Sequence, residues 1–212
     1  MIQKISILVL ITLCLSCSSD DSIAPETQNS NFYALTVGNS WMYENFQYNE
    51  EYQTYEETGV IDNITITSIE NILGDDYYIY KTVTTGNDDE IPFCNPNGEK
   101  EEYIRAYEGY LIDNTSRIRF VNNVFEPILD REYSNGSLYF QLEQETETVT
   151  TTAGTFECQK MYRYFDHNEE GIWNGRHYFY YANGVGLVME TPTSFAAEIP
   201  NIEKRLISYN VQ

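Results

Sequence analysis

Apolar and polar residues alternate along most of the chain after residue 32, in short runs separated by Gly, Asn and Asp. Successive side chains of a strand point to opposite faces of a sheet, so this period of two is typical of half-buried strands. The run Ile64-Thr65-Ile66-Thr67 shows the alternation in its simplest form. The pattern predicts antiparallel strands with one face on a core and the other in water.

The segment 151–191 shows the clearest sheet pattern. An Ala153-Gly154 turn opens it, a polar loop divides it, and a second break lies at Asn183-Gly184. Gly and Asn favour turn conformations, whereas aromatic and β-branched residues pack well on a pleated surface. We therefore predict a β-hairpin that continues into a further strand. Its strands are 155–164, 176–181 and 185–190.

The same pattern predicts strands through the rest of the domain. A bulge is expected near Asn45, where the alternation changes phase. Loop composition dominates 86–100, and only 33–37 and 194–198 are candidates for short helices. The remaining predicted strands are 40–48, 60–73, 77–85, 102–107, 109–113, 117–121, 125–129, 137–142, 146–152 and 204–211.

Many short strands with turns between them indicate an all-β fold built from an antiparallel sheet. The alternatives are a strongly curved sheet, a barrel or a sandwich. No internal repeat divides 32–212, and a chain of 212 residues is within the range of one large β domain. We expect a single β-rich domain with at most short helices.

The N-terminus follows a different pattern. Lys4 precedes an apolar run from Ile5 to Leu15, which is shorter than the ~20 residues of a membrane-spanning helix and is typical of a signal peptide. Ser16-Cys17 resembles a bacterial lipobox, in which the cysteine receives diacylglycerol and becomes the first residue of the mature protein. The resemblance implies a signal peptide over 1–16 and lipidation, including palmitate, at Cys17.

Residues 17–31 have the composition of a flexible acidic tether. Ser18-Ser19-Asp20-Asp21 resembles the Ser/Asp-rich signal of surface-exposed lipoproteins of Bacteroidota. The resemblance implies outer-membrane anchoring with display outside the cell, and periplasm-facing display is the alternative. Asp21-Ser22-Ile23 resembles the short O-glycosylation sequon of that phylum, which makes Ser22 a candidate glycosylation site.

Three motifs in the body of the chain carry a wider resemblance. They are G-N-S-W-M-Y at 38–43, G-T-F at 154–156 and G-V-G-L-V at 184–188. In this order they resemble the opening and closing elements of Bacteroidota lipoproteins of unknown function. The resemblance favours a curved sheet or a partial barrel, and it implies no activity.

Charge and motif content exclude several classes of function. With 33 acidic and 12 basic residues the formal charge is -21, so nucleic acid would be repelled. The sequence has no G-x-S-x-G elbow, no Gly-rich phosphate loop and no H-E-x-x-H, and we predict no cofactor. His167 and His177 fit no common zinc spacing, and the acidic loop 88–90 lacks a calcium-loop motif, so we predict no metal site.

Two pairs of residues remain as candidates. In an exported protein Cys94 and Cys158 can form a disulfide, but Cys158 shares a strand face with Phe156, where a buried thiol is an ordinary core residue. Tyr178 and Tyr180 are candidates for ligand-facing aromatics. Their alternative role is a sheet face whose rings fill the core.

The sequence thus favours a non-catalytic, lipid-anchored protein of the cell envelope with a binding or interaction role. Its partners would be the membrane, through the lipid anchor, and a glycan or lipid-like ligand. One alternative is a carrier whose curved sheet encloses a cavity for a lipophilic molecule. Another is a glycan-acting hydrolase, although the abundance of acidic residues makes any single carboxylate pair uninformative.

Overall fold

The computed structural model of the protein describes residues 31–212. The predicted signal peptide, Cys17, Ser22 and residues 17–30 of the tether lie outside the described residues. Between 31 and 212, no helix is long and apolar enough to cross a bilayer.

Thirteen strands form one antiparallel sheet in the described part of the chain. This confirms the predicted all-β fold. The strands are β1 (Ser40–Asn49), β2 (Thr54–Ile72), β3 (Asp75–Thr85), β4 (Gly98–Tyr107), β5 (Tyr110–Asp113), β6 (Ile118–Val121), β7 (Ile128–Tyr133), β8 (Gly136–Thr151), β9 (Gly154–His167), β10 (Gly171–Ile172), β11 (His177–Ala182), β12 (Gly186–Glu190) and β13 (Ile202–Asn210).

The order of strands makes the sheet a nearly closed barrel. Neighbouring strands follow the order β6-β5-β4-β3-β2-β1-β13-β12-β11-β9-β8-β7, and the short β10 pairs with β9 off this path. β13 then pairs with β1, with Trp41 opposite Tyr209. The sheet is therefore continuous at the chain ends, and its two free edges are β6 and β7.

Side chains connect the two halves across this opening. Arg163 of β9 donates a hydrogen bond of 3.0 Å from Nη2 to the carbonyl oxygen of Ile118 on β6. The ring of Phe120 on β6 packs 4.1 Å, centroid to centroid, from that of Tyr181 on β11. The interior is consequently packed even where backbone pairing stops.

Alternation along the strands places the largest core inside the barrel. Val60 and Ile66 of β2 are fully buried, while Thr67, the next residue of the same strand, is exposed. The pairing of β1 with β2 shifts between Glu44 and Phe46, which confirms the bulge predicted near Asn45. The main interior cluster contains Tyr33, Ile104, Leu111, Phe120, Val121, Phe140, Leu142, Met161, Phe179 and Tyr181.

Several predicted elements differ from the structure. The candidate helices 33–37 and 194–198 contain only turns, bends and irregular backbone. The strands predicted at 137–142 and 146–152 are one strand, β8, with a register shift between Leu142 and Thr146. A strand was predicted at 125–129, but β7 begins only at Ile128. The prediction began too early because the residue pattern of the β6–β7 connection resembles that of a strand.

Candidate functional site

A cavity of about 210 Å³ opens on the inner face of the barrel. Strands from both halves of the sheet line it, as do the segment before β1 and the β3–β4 loop. Its lining combines rings with charged side chains: Tyr33, Trp41, Tyr43, Ile64, Tyr80, Thr82, Asn95, Lys100, Glu102, Ile104, Leu111, Arg119, Phe179, Tyr181, Gly186, Leu187, Glu190 and Lys204.

Aromatic side chains of β1 and β3 form one wall of this cavity. The rings of Trp41 and Tyr80 are nearly parallel, with centroids 6.0 Å apart. Trp41 donates from Nε1 to the Val185 carbonyl at 2.7 Å, and the hydroxyl of Tyr43 donates to the Leu187 carbonyl at 2.8 Å. These bonds connect β1 to the region of β12, so the wall is held rigidly.

The hydroxyl of Tyr181 is a polar group at the cavity. Tyr181 is only 8% exposed and lines the cavity. Burial raises the pKa of its hydroxyl well above the ordinary value, so the group stays a neutral phenol that can donate to and accept from a water or a ligand in the cavity. The buried polar atoms without a hydrogen-bond partner in residues 31–212 are the Nε atoms of Arg105, Arg119 and Arg163, of which Arg119 lines the cavity.

A buried ion pair lies beside the aromatic wall. Lys204 Nζ on β13 is 2.9 Å from Asp62 Oδ2 on β2. Asp62 also accepts hydrogen bonds from Thr84, Asn95 and Asn45. Although burial raises its pKa, the charge of Lys204 and these bonds lower it overall, so Asp62 is a carboxylate whose acceptor positions are occupied.

Glu190 and His177 form a second pair at the cavity. His177 Nε2 lies 2.9 Å from Glu190 Oε1, and the His177 ring stacks on Phe179 at 4.2 Å. Burial raises the pKa of Glu190, but the bond to His177 and nearby positive charges outweigh this and bring it to about 2. Burial lowers the pKa of His177, and Glu190 partly offsets this effect. Glu190 is therefore ionised at neutral pH.

The third charged group at the cavity is a cluster on β4, β5 and β6. Arg119 Nη2 lies 3.2 Å from Asp113 Oδ2 and also contacts Glu102. Lys100 Nζ lies 3.2 Å from Glu102 Oε1. Lys100, Glu102, Arg119 and Lys204 thus each have an ionic partner of opposite sign. Glu190 instead has the His177 imidazole, whose lowered pKa leaves it neutral at neutral pH, and further donor and acceptor positions on these groups remain for a ligand.

Tyr178 and Tyr180 lie on the other face of β11. Phe179 and Tyr181 point into the cavity, whereas Tyr180 is buried in an outer cluster with Cys158. Lys160 Nζ lies 4.7 Å from the centroid of Tyr178 and 5.7 Å from that of Tyr180. Tyr180 is thus buried in the outer cluster, and Tyr178 is half-buried beside it with Lys160 over its ring.

Cys94 and Cys158 are both free cysteines. Cys94 lies in the β3–β4 loop. Cys158 lies on β9 and is buried in the outer cluster. Burial raises the pKa of the Cys94 thiol to about 11 and that of the Cys158 thiol to about 12. Both are thus weakly reactive thiols at neutral pH.

The structure separates the two histidines considered for a metal site. His167 accepts from the backbone amides of Glu169 and Glu170 in an exposed turn, while His177 lies inside against Glu190. Across residues 31–212, no group of three or more His, Cys, Asp or Glu side chains is arranged to hold a metal ion.

Sequence reasoning missed the charged residues at the cavity, yet Lys204 of the lining and its partner Asp62 carried a signal. Asp62 sits between inward-facing Val60 and Ile64, and Lys204 sits between Ile202 and Leu206, which are both fully buried. A charged residue at an inward position of an alternating strand indicates a buried ion pair or a site. The partners themselves are too far apart in sequence to be matched without the fold.

Comparisons with known proteins give a likeness of fold. Residues 143–192, from the end of β8 through β12, match a family described as DUF3108-like. No curated protein matches the sequence.

Two solved structures are similar over most of the chain. One, described as "a putative lipoprotein" from Parabacteroides distasonis, is 15% identical, with 84% of this chain and 98% of that chain covered and a TM-score of 0.48. The other, described as "a putative exported protein with YmcC-like fold" from Bacteroides fragilis, is 13% identical, with 82% and 96% covered and a TM-score of 0.50. The chain therefore shares the fold of the Bacteroides fragilis protein.

Proposed function

We propose that this protein is a non-catalytic, lipid-anchored protein of the cell envelope that binds a small molecule in its barrel cavity. The observation that carries the proposal is the cavity of about 210 Å³, in which the aromatic side chains lie beside Arg119, Glu190 and Lys204. Concave sites with rings and a few convergent polar groups are typical ligand sites.

Envelope placement follows from the N-terminal pattern. The apolar run before Cys17 supports export, and the lipobox-like Ser16-Cys17 supports lipidation. The Bacteroides fragilis protein of the same fold is described as exported, which agrees with this placement. The Ser/Asp-rich residues after Cys17 favour the outer membrane and display on the cell surface.

The lining of the cavity disfavours a carrier of lipophilic molecules. A lipid-like ligand requires a continuous apolar surface, whereas Glu102, Glu190 and Lys204 all reach this cavity. Covering ionised groups with an apolar ligand would remove their hydration without replacing its hydrogen bonds.

The state of the carboxylates disfavours glycoside hydrolysis. A general acid needs a raised pKa so that it is protonated at working pH. Glu190 has a pKa of about 2, and the pKa of Asp62 is also lowered. Both carboxylates are stabilised as anions, which suits binding and charge pairing.

Binding at the cavity can be tested by tryptophan fluorescence. The chain has two tryptophans, of which Trp41 lines the cavity and Trp173 stacks on His167 elsewhere. Purified full-length Trp173→Phe protein, in mild detergent, should show a saturable change in Trp41 emission with one or more pools of polar metabolites. The matched variant Trp41→Phe should show no change, and an equal response of both variants would contradict the cavity as the site.

The anchor is tested separately in cells. Palmitate labelling and retention in the membrane fraction should be lost in Cys17→Ala and kept in Cys94→Ala. Protease shaving of intact cells should remove the wild-type domain if it faces outward. Labelling that survives Cys17→Ala would overturn the lipid anchor without bearing on the cavity.

A further inference from the structure

We infer that the cavity takes a small, neutral, polyhydroxylated ligand of monosaccharide size, such as a sugar or a cyclic polyol. This inference rests on the proposed binding function and adds the chemical class of the ligand. It depends on three properties of the cavity: its size, the pairing of its cations and the polar groups that lie beside its aromatic lining.

Size limits the ligand to a small molecule. The cavity volume of about 210 Å³ is below the ~300–1,000 Å³ of sites for drug-sized ligands. Trp41, Tyr43 and Tyr181 are packed and mostly buried, and the bonds of Trp41 and Tyr43 to backbone carbonyls hold this wall in place. The cavity therefore fits one ring of sugar size and excludes a long acyl chain.

The pairing of the cations at the cavity disfavours an anionic ligand. Lys204 is paired with Asp62, and Arg119 with Glu102 and Asp113. A bound anion would compete with these carboxylates for the cations and would leave a carboxylate uncompensated, which is costly in a buried setting. The formal charge of -21 also disfavours the approach of anions.

Neutral hydroxyl groups can bind the donor and acceptor positions that the charged side chains of the lining leave free. An ammonium has three donors and a carboxylate about four acceptor sites, so Lys204 and Glu190 can each bind a ligand hydroxyl while they keep their partners. The phenol of Tyr181 can donate and accept as well. A molecule with several hydroxyls can satisfy all of these groups at once, which neither an apolar nor an anionic ligand can do.

The aromatic wall complements the other surface of such a ligand. A sugar ring carries C–H groups on its faces and hydroxyls at its rim. Trp41 and Tyr80 present apolar ring surface next to the charged groups of the lining. Apolar contact on one side and hydrogen bonds at the rim match both kinds of lining.

The test is saturation-transfer NMR on the purified full-length protein in mild detergent. The probes are glucose, galactose, N-acetylglucosamine and myo-inositol. Octanoate and inorganic phosphate are comparison probes, and phosphate is followed by the broadening of its ³¹P signal because it has no carbon-bound proton. We expect saturable binding of at least one neutral probe and none of phosphate or octanoate.

Two matched variants separate the cavity from the outer face of β11. Tyr181→Phe keeps the ring that packs on Phe120 and removes only the hydroxyl, so binding should weaken by about tenfold, as expected for one lost hydrogen bond. Tyr178→Phe removes a hydroxyl outside the cavity and should bind like wild type.

The outcomes distinguish the ligand class from the binding function. If phosphate or octanoate binds and no neutral probe does, the ligand class is overturned while binding in the cavity stands. If a neutral probe binds equally well to wild type and Tyr181→Phe, the assignment of the hydroxyl is overturned. If no probe binds and the fluorescence of Trp41 responds to no metabolite pool, both proposals fail.

Discussion

Lys204 and Asp62 form an ion pair inside the barrel, with Nζ and Oδ2 2.9 Å apart and side-chain exposures of 9% and 1%. The pair joins β13 to β2 across β1, the strand that both of them flank. It therefore supports the point at which the last strand closes the sheet on the first. Breaking a buried pair leaves one charge uncompensated, so loss of this pair should lower the free energy of unfolding of the domain.

Lys204→Met should destabilise the protein by about 3–5 kcal/mol, because Asp62 then remains buried without its cation. The measurement is the free energy of unfolding in urea. The double variant Asp62→Asn/Lys204→Met should be more stable than the sum of the two single changes predicts. Lys81→Met, which removes an exposed pair with Glu99, is the matched control and should change stability little. Equal effects of Lys204→Met and Lys81→Met would contradict the role of the buried pair.

Glu190 should make stability depend on acid pH. Its pKa of about 2 in the folded protein lies below its ordinary value of 4.5. A lowered pKa contributes stability that is fully present above the ordinary value and is lost as the pH falls towards the folded value. The difference in unfolding free energy between wild type and Glu190→Gln should therefore shrink between pH 5 and pH 2, as measured by urea unfolding. A difference for Glu190→Gln that stays constant over this range would refute the prediction.

The two cysteines of the domain should be recovered as free thiols. Non-reducing peptide mapping after alkylation in urea should find both labelled, because both are free in the structure. In the native protein at pH 8 alkylation should be slow at both and slower at Cys158, which is fully buried with a pKa of about 12. A peptide that joins Cys94 to Cys158 through a disulfide would contradict this expectation.

Gly86→Ala should destabilise the turn that leads from β3 into its loop. Gly86 has a positive φ of 84°, and a Cβ there would lie 2.1 Å from the carbonyl oxygen of Gly59. Left-handed strain and this backbone clash should together cost about 3 kcal/mol. Gly184→Ala has similar strain, with φ 72°, but no atom within 4 Å of the new Cβ, so it should cost only about 1 kcal/mol. Urea unfolding of both variants measures the contribution of the clash, and equal losses would exclude it.

Much of the secondary structure could be predicted from local pattern. The alternation around Ile64 and Ile66 predicts β2, and the change of phase at Asn45 marks the bulge in β1. The hairpin pattern of 151–191 corresponds to β9, β11 and β12. Each of these features depends on neighbouring residues in one strand, and for that reason the sequence displays it directly.

The candidate site could be predicted only in part. The sequence offered Tyr178 and Tyr180, but period-two alternation shows only that they share a face, and leaves open which face is inside. The curvature of the sheet puts Phe179 and Tyr181 in the cavity instead. Cys94 and Cys158 were equally undetermined, because their separation depends on how the β3–β4 loop lies against the barrel.

Alternation and turn residues are enough to predict an all-β domain and most strand positions, because they act over a few neighbouring positions. The folded barrel is needed to see that β13 pairs with β1 and that Lys204 meets Asp62. It is also needed to place Tyr181 at a cavity. These relationships join residues that are distant in the chain, and they arise from sheet closure, which no local pattern encodes.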